Sequence, residues 1–227
     1  MCANYKPVTS PERLKTHFGV DSADAFDEEA WPGNMAPFIR QAKDTTAHER
    51  ELVGGLFGLI PHWSKDLTIG RHTYNARSET VSEKPSFRDA WRYGRRCIVP
   101  VESFFEPNWE TGKSVRWRIH RKDSKPMGLA GLWGAWKGPD GRELMSFTML
   151  TINADGHDVM QHFHKPEDEK RMVVILDESD YDRWLDAPAD QMVGFLNRFP
   201  ATELTAEPAP RSKRTNSSLH ATRGFDF

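Results

Sequence analysis

Three stretches decide the fold class: Arg96-Cys97-Ile98-Val99-Pro100-Val101, Val115-Arg116-Trp117-Arg118-Ile119-His120, and Met127-Gly128-Leu129-Ala130-Gly131-Leu132-Trp133-Gly134-Ala135-Trp136. Each is rich in β-branched or large apolar residues. Turn formers separate them, including Pro107, Gly112, Asp123 and Lys125-Pro126, so each reads as a strand. Residues 145–153 supply a fourth strand and residues 172–176 a fifth. Working outward, residues 52–60 are apolar but interrupted by glycine, which suits a strand bending closely against a neighbour. The segment 21–44 is broken by proline and glycine and reads as irregular. Helices fall at the margins. Ser10 is placed as an N-cap before Pro11, with Gly19 as the stop. Residues 87–93 read as a short helix ending at Gly94, and 180–185 and 191–197 also read as helical. Strands in succession with helices outside predict an α+β domain with a mainly antiparallel sheet. That domain is expected to span residues 1–210, and the polar, basic tail 211–227 is expected to lack fixed structure.

Composition narrows the function classes. A chain of 227 residues suits one large domain. Eight Trp and thirteen Phe are too many aromatics for a disordered chain. No apolar run approaches the roughly 18 residues of a membrane span. No apolar signal core follows the N-terminus, so a soluble, cytoplasmic protein is expected. Cys2 and Cys97 form neither a disulfide framework nor a C-x-x-C pair. Net charge is −2, yet residues 70–125 hold 13 Lys/Arg against 7 acids. Such a local excess either draws phosphates or is a solvated mixed-charge surface.

Several residues could carry chemistry. Loss of Met1 would leave Cys2 with an α-amine and a thiol on adjacent carbons. This 1,2-aminothiol can condense with an aldehyde and close to a thiazolidine. It can also act as an N-terminal nucleophile on an amide, or be an incidental residue at a frayed end. The two groups titrate near working pH, at about 7.7–8.0 and about 8.5. Asn75-Ala76-Arg77-Ser78-Glu79-Thr80 offers an amide to orient a substrate and a guanidinium to grip a phosphate; a capped loop with Glu79 holding an arginine fits it equally. Glu106, beside Phe105, suits proton transfer from a partly desolvated carboxyl, or is a surface acid. His157, His162 and His164 gather in one polar segment. Two histidines without a spaced cysteine or carboxylate do not specify a metal site, so no metal is expected. A single histidine acting as acid or base is the better reading. Cys97 reads as a core thiol. The run Phe57 to Trp63 suits base stacking or plain core packing.

Taken in order, these pieces resemble the SRAP family, the SOS-response-associated peptidase-like proteins. The matching stretches are Met1-Cys2, Gly58-Leu59-Ile60-Pro61-His62-Trp63, Asn75 to Thr80, Arg96 to Pro100 with Phe104 to Glu106, and His164 with Arg171-Met172. Four places differ: Cys2 is followed by Ala3-Asn4 where the family usually has Gly-Arg, Phe57 stands where Trp is common, Pro107 stands where Trp often follows the Glu, and six residues separate His164 from Arg171 where the family has one. The resemblance implies a compact domain around a bent, barrel-like sheet and covalent capture of abasic sites in single-stranded DNA. It implies Cys2, Asn75, Glu106 and His164 as catalytic residues, with His164 chosen over His162 because Phe163 precedes it. Arg77, with Arg71 or Arg88, would meet phosphates, and Trp63 and Pro61 would meet the strand. The implied partner is single-stranded DNA with abasic sites, bound by a monomer without cofactor. A Cys2-dependent peptidase, acting on peptides or on its own N-terminus, is the alternative.

Overall fold

The computed structural model describes residues 2–22, 24–42 and 49–211. Residues 212–227, nearly all of the tail set apart above, lie outside that range. The strands are β1 (Asn4–Pro7), β2 (Met35–Gln41), β3 (Arg50–Phe57), β4 (Asn75–Arg77), β5 (Arg96–Asn108), β6 (Val115–Arg121), β7 (Met127–Lys137), β8 (Glu143–Asn153), β9 (Arg171–Val173), β10 (Ile175–Leu176) and β11 (Leu204–Pro208). The α-helices are α1 (Pro11–Phe18), α2 (Arg88–Arg92) and α3 (Tyr181–Asp186).

Five strands close a barrel in the order β7-β8-β3-β2-β5, with β5 returning to β7. Only β3–β8 is parallel around that ring. The expected α+β domain with a bent, mainly antiparallel sheet is what the chain forms. Closure removes two free edges and encloses an aromatic core. Phe147 lies 5.4 Å from Phe57 and 5.5 Å from Phe38 between ring centres. The Trp184 indole N–H donates to the Cys97 carbonyl at 2.9 Å, tying α3 to the barrel, and the Cys97 thiol is buried as expected.

Two long strands outgrow the barrel, and their extensions position the site. The first half of β5 pairs with β7; its second half pairs with β1 on one side and β6 on the other. Likewise β8 leaves β7 and takes β4 (Asn75 opposite Met149) and β9 (Asn153 opposite Arg171). Strand β11 then covers β6.

The α1 punctuation is as read. The Ser10 hydroxyl accepts from the Arg13 N–H, Gly19 turns left-handed at φ 69°, and Leu14 and Phe18 bury one face. Losing such a cap costs about 0.5–2 kcal/mol. The segment 21–44 departs from expectation, because Met35–Gln41 forms a barrel strand despite Pro37. β2 pairs along its length with β3 but meets β5 only at Ile39–Ile98. A missing N–H is tolerable on so sparsely paired a flank. The run 191–197 contains only a 3₁₀ turn, Met192–Phe195.

Candidate active site

Cys2 lies just ahead of β1, where Asn4 is opposite Phe105 of β5. This register carries Cys2 toward Glu106. Cys2 is buried, and its thiol lies 3.6 Å from the Asn4 carbonyl oxygen. From β4, the Asn75 amide Nδ2 donates to the Cys2 carbonyl at 2.7 Å. Asn75 Oδ1 is buried and has no hydrogen-bond partner among the described residues. The site thus keeps an open acceptor aimed away from its own backbone contact.

Glu106 and His164 form the other half. His164 Nδ1 stands 3.6 Å from Glu106 Oε2, with both side chains buried. His164 adopts φ 65°, a left-handed conformation that is uncommon for a side-chain-bearing residue. Its N–H donates to the Pro107 carbonyl at 2.9 Å, and its Nε2 lies 3.3 Å from the Arg171 carbonyl oxygen. A carbonyl only accepts, so Nε2 carries the ring proton, and Nδ1 is left facing the carboxyl. Burial pushes the His164 pKa down, against the pull of Glu106. Burial pushes the Cys2 thiol well above the usual thiol range, and the charge of Glu106 adds to the effect. The thiol is therefore held neutral in the resting site. His162 points elsewhere, half exposed, with Nδ1 2.8 Å from Glu110 Oε1. The two histidines do not converge. His157 is buried, its Nε2 2.8 Å from the Phe199 carbonyl.

The basic residues divide. Arg77 is half exposed, and its Nη1 donates to Glu169 at 2.7 Å. Glu79 belongs to Arg171, not Arg77, through a two-pronged contact at 2.9 and 3.1 Å. Arg88 is exposed beside Asp89. Arg71 is exposed on the 3₁₀ turn Thr68–His72. Trp63 is half exposed, its indole N–H donating to the Pro85 carbonyl at 3.3 Å. Pro61 is buried, so it shapes the turn ahead of Trp63 and offers little surface of its own. Much of the basic excess in 70–125 is structural: Arg96 is buried against Met192 and the Leu185 carbonyl, and Arg121 pairs with Asp123.

With this geometry in place, the relatives are informative. The sequence model of the family SOS response associated peptidase (SRAP) matches residues 1–215. The chain belongs to the SRAP family. It is 35% identical over 211 residues to the abasic site processing protein YoqW of Bacillus subtilis, covering 91% of each. It is 37% identical over 211 residues to YobE, an abasic site processing protein of the same organism, covering 91% of this chain and 93% of that one. Among solved structures, a protein from Bordetella bronchiseptica superposes with a TM-score of 0.87 at 37% identity, over 92% of this chain and all of the other.

Residue-by-residue reading of this SRAP chain missed three contributors. Tyr74 is half buried, and its phenol pKa is raised by burial and then by Glu106 and Cys2, which marks it as their neighbour. Arg171 is buried, holding Glu79 and Glu169 with its guanidinium and the His164 ring with its carbonyl; its place after the histidine run was the only signal. Asn4 accepts from Arg116 Nη2 at 2.6 Å, and the same guanidinium reaches Glu29 at 2.9 Å and lies 3.4 Å over the Phe105 ring. That network fixes the strand that carries Cys2, and no local motif announces it. Chemically, the corner offers a nucleophile, an amide to orient it and an imidazole facing a carboxyl.

Proposed function

We propose that this chain senses abasic sites in single-stranded DNA and crosslinks to them covalently through Cys2. The reading requires removal of Met1, which frees the Cys2 α-amine. The amine adds to the C1′ aldehyde of the ring-opened sugar, and loss of one water gives an iminium. The Cys2 sulfur then bonds to that carbon as the thiol gives up its proton, closing a thiazolidine. Glu106 takes and returns protons during the condensation. His164 acts as acid toward the sugar hydroxyl. Asn75 orients the terminus, and its open Oδ1 accepts from the amine or the sugar. Arg77, with Arg71 or Arg88, neutralises phosphates, and Trp63 stacks on a base. No metal or cofactor enters the scheme.

The observation that carries this reading is the convergence of Cys2, Asn75, Glu106 and His164 in one buried corner. The names of the SRAP relatives supply the substrate class. A thiol held neutral by burial favours attack by the amine first, with the thiol deprotonated only at ring closure. A peptidase led by a Cys2 thiolate fits that environment less well. The test is intact mass after mixing with a single strand bearing one abasic site. A heat-stable adduct is expected, lacking Met1 and weighing protein plus DNA less one water. No adduct, together with cleavage of peptides, would replace this reading with the peptidase.

A further inference from the structure

The segment between His164 and β9 places an acid against two arginines, the half-exposed Arg77 and the buried Arg171. Glu169 Oε2 accepts from Arg77 Nη1 at 2.7 Å, and Glu169 Oε1 accepts from Arg171 Nη1 at 2.6 Å. One carboxylate thus bridges two guanidiniums from different strands, the geometry in which two oxygens of a phosphodiester would be held. Arg171 keeps Glu79 on its other face, so it stays paired without Glu169. Arg171 Nε is buried without a hydrogen-bond partner among the described residues. Lys170 anchors the same segment, its Nζ donating to the Lys165 carbonyl at 2.7 Å. Arg77 and Glu169 are both substantially open to solvent, so their contact can be exchanged at small cost.

We propose that Glu169 is an internal stand-in for a DNA phosphate: its carboxylate occupies Arg77 in the free protein and is displaced when a strand binds. This rests on the reading of Arg77 as a phosphate contact and adds a determinant of how tightly undamaged strands are held. A protein that searches for damaged sites gains from weak binding to intact DNA, and an intramolecular competitor for a cation supplies it. Arg171 keeps Glu79 and the Thr151 carbonyl when Glu169 leaves, so the exchange is confined to the Arg77 side.

The experiment is affinity for an undamaged single-stranded oligonucleotide, by fluorescence anisotropy at fixed salt. It compares the parent, Glu169→Gln, Arg77→Ala and the double variant. Glu169→Gln should tighten binding roughly two- to fivefold, the value of an exposed ion pair. That gain should vanish on the Arg77→Ala background. Glu167→Gln, exposed on the same loop, controls for the mere loss of a negative charge and should change affinity less. A gain that persists without Arg77, or one matched by Glu167→Gln, overturns the proposal. If Glu169→Gln gives no gain while Arg77→Ala still weakens binding, only the stand-in falls. If Arg77→Ala changes nothing in either background, the phosphate role of Arg77 falls with it. The covalent chemistry of Cys2 is untouched by either result.

Discussion

The inner corner and the outer rim are built on opposite principles. In the corner, Cys2, Asn75, Glu106 and His164 are all at least nine-tenths buried, and the barrel's long strands set their positions. At the rim, Arg77, Arg88 and Trp63 are about half exposed, and the arginines lean on nearby acids. Burial tunes the corner: it keeps the thiol neutral and the imidazole weakly basic. The rim is tuned differently: Arg77 and Arg88 each keep an acid beside them that is itself partly open to solvent. Mutations in the corner should therefore alter rate while sparing affinity, and rim mutations should do the reverse.

The largest effect should come from the nucleophile. Cys2→Ala removes the trapping thiol but leaves an amine, so the heat-stable adduct should be lost while a borohydride-reducible one persists. Blocking the terminus with a tag or retained Met1 should abolish both, because an acylated nitrogen is no longer nucleophilic. A heat-stable adduct formed by Cys2→Ala without reductant would end the thiazolidine mechanism.

Next comes Glu106→Gln, which preserves shape but cannot accept a proton. Single-turnover crosslinking should slow by about 10²–10⁴-fold, the usual contribution of a general acid–base group. Affinity for intact strands should move little. If affinity falls as far as rate, the corner and rim are not separable at this residue.

How much of this division was legible beforehand differs along the chain. The barrel strands announced themselves because their apolar runs are bounded by turn residues, as at 96–101 and 145–153. β2 did not, since Pro37 and the nearby glycine mimic a loop, and only the pairing with β3 makes a strand of it. The corner residues could be picked out one by one on their chemistry, but only the family resemblance joined them into a set, because Cys2, Asn75, Glu106 and His164 are spread over most of the chain. What joins them is β-pairing between distant segments, which no local pattern encodes. The Arg77–Glu169 and Asn4–Arg116 contacts were invisible for the same reason: they span 92 and 112 residues. That Glu79 holds an arginine was legible, but which one was not: Arg171 of β9 takes it, 92 residues away.

A smaller effect should appear in stability against pH. His164 has its pKa lowered by burial in the fold, so the unfolded chain binds the proton more readily. Above the unfolded value of about 6.5 both states are neutral and the ring has no influence. As pH falls below that value, the unfolded state gains protons first and folding stability is lost, down through the depressed folded pKa. His164→Asn retains a residue tolerant of the left-handed conformation and removes the titration. Urea midpoints at pH 7.5 and 5.5 should fall less on acidification in the variant than in the parent. Equal falls would mean that other groups govern acid sensitivity and that the corner histidine is not held as described.

The smallest expected effects lie at the far rim, and they separate charge from stacking. Arg88 beside Asp89 and Trp63 against Pro85 belong to one surface, but they would hold DNA by different physics. A guanidinium that neutralises a phosphate displaces counterions, so Arg88→Ala should flatten the slope of log affinity against log salt by about 0.7 on single strands. An indole stacked on a base releases no counterion. Trp63→Ala should therefore weaken binding at every salt concentration by a similar factor, up to the order of 1–3 kcal/mol for one stacked base, with the slope unchanged. Neither variant should alter the single-turnover rate at saturating DNA, since Cys2 and Glu106 remain buried in the barrel's corner. The decisive observation is the slope, measured by titrating undamaged oligonucleotide from low to moderate salt with both variants in parallel. If Trp63→Ala changes the slope as much as Arg88→Ala, the indole acts by placing a charge and not by stacking. If neither changes affinity, the strand's path ends at Arg77, and the surface around α2 is left out of DNA binding.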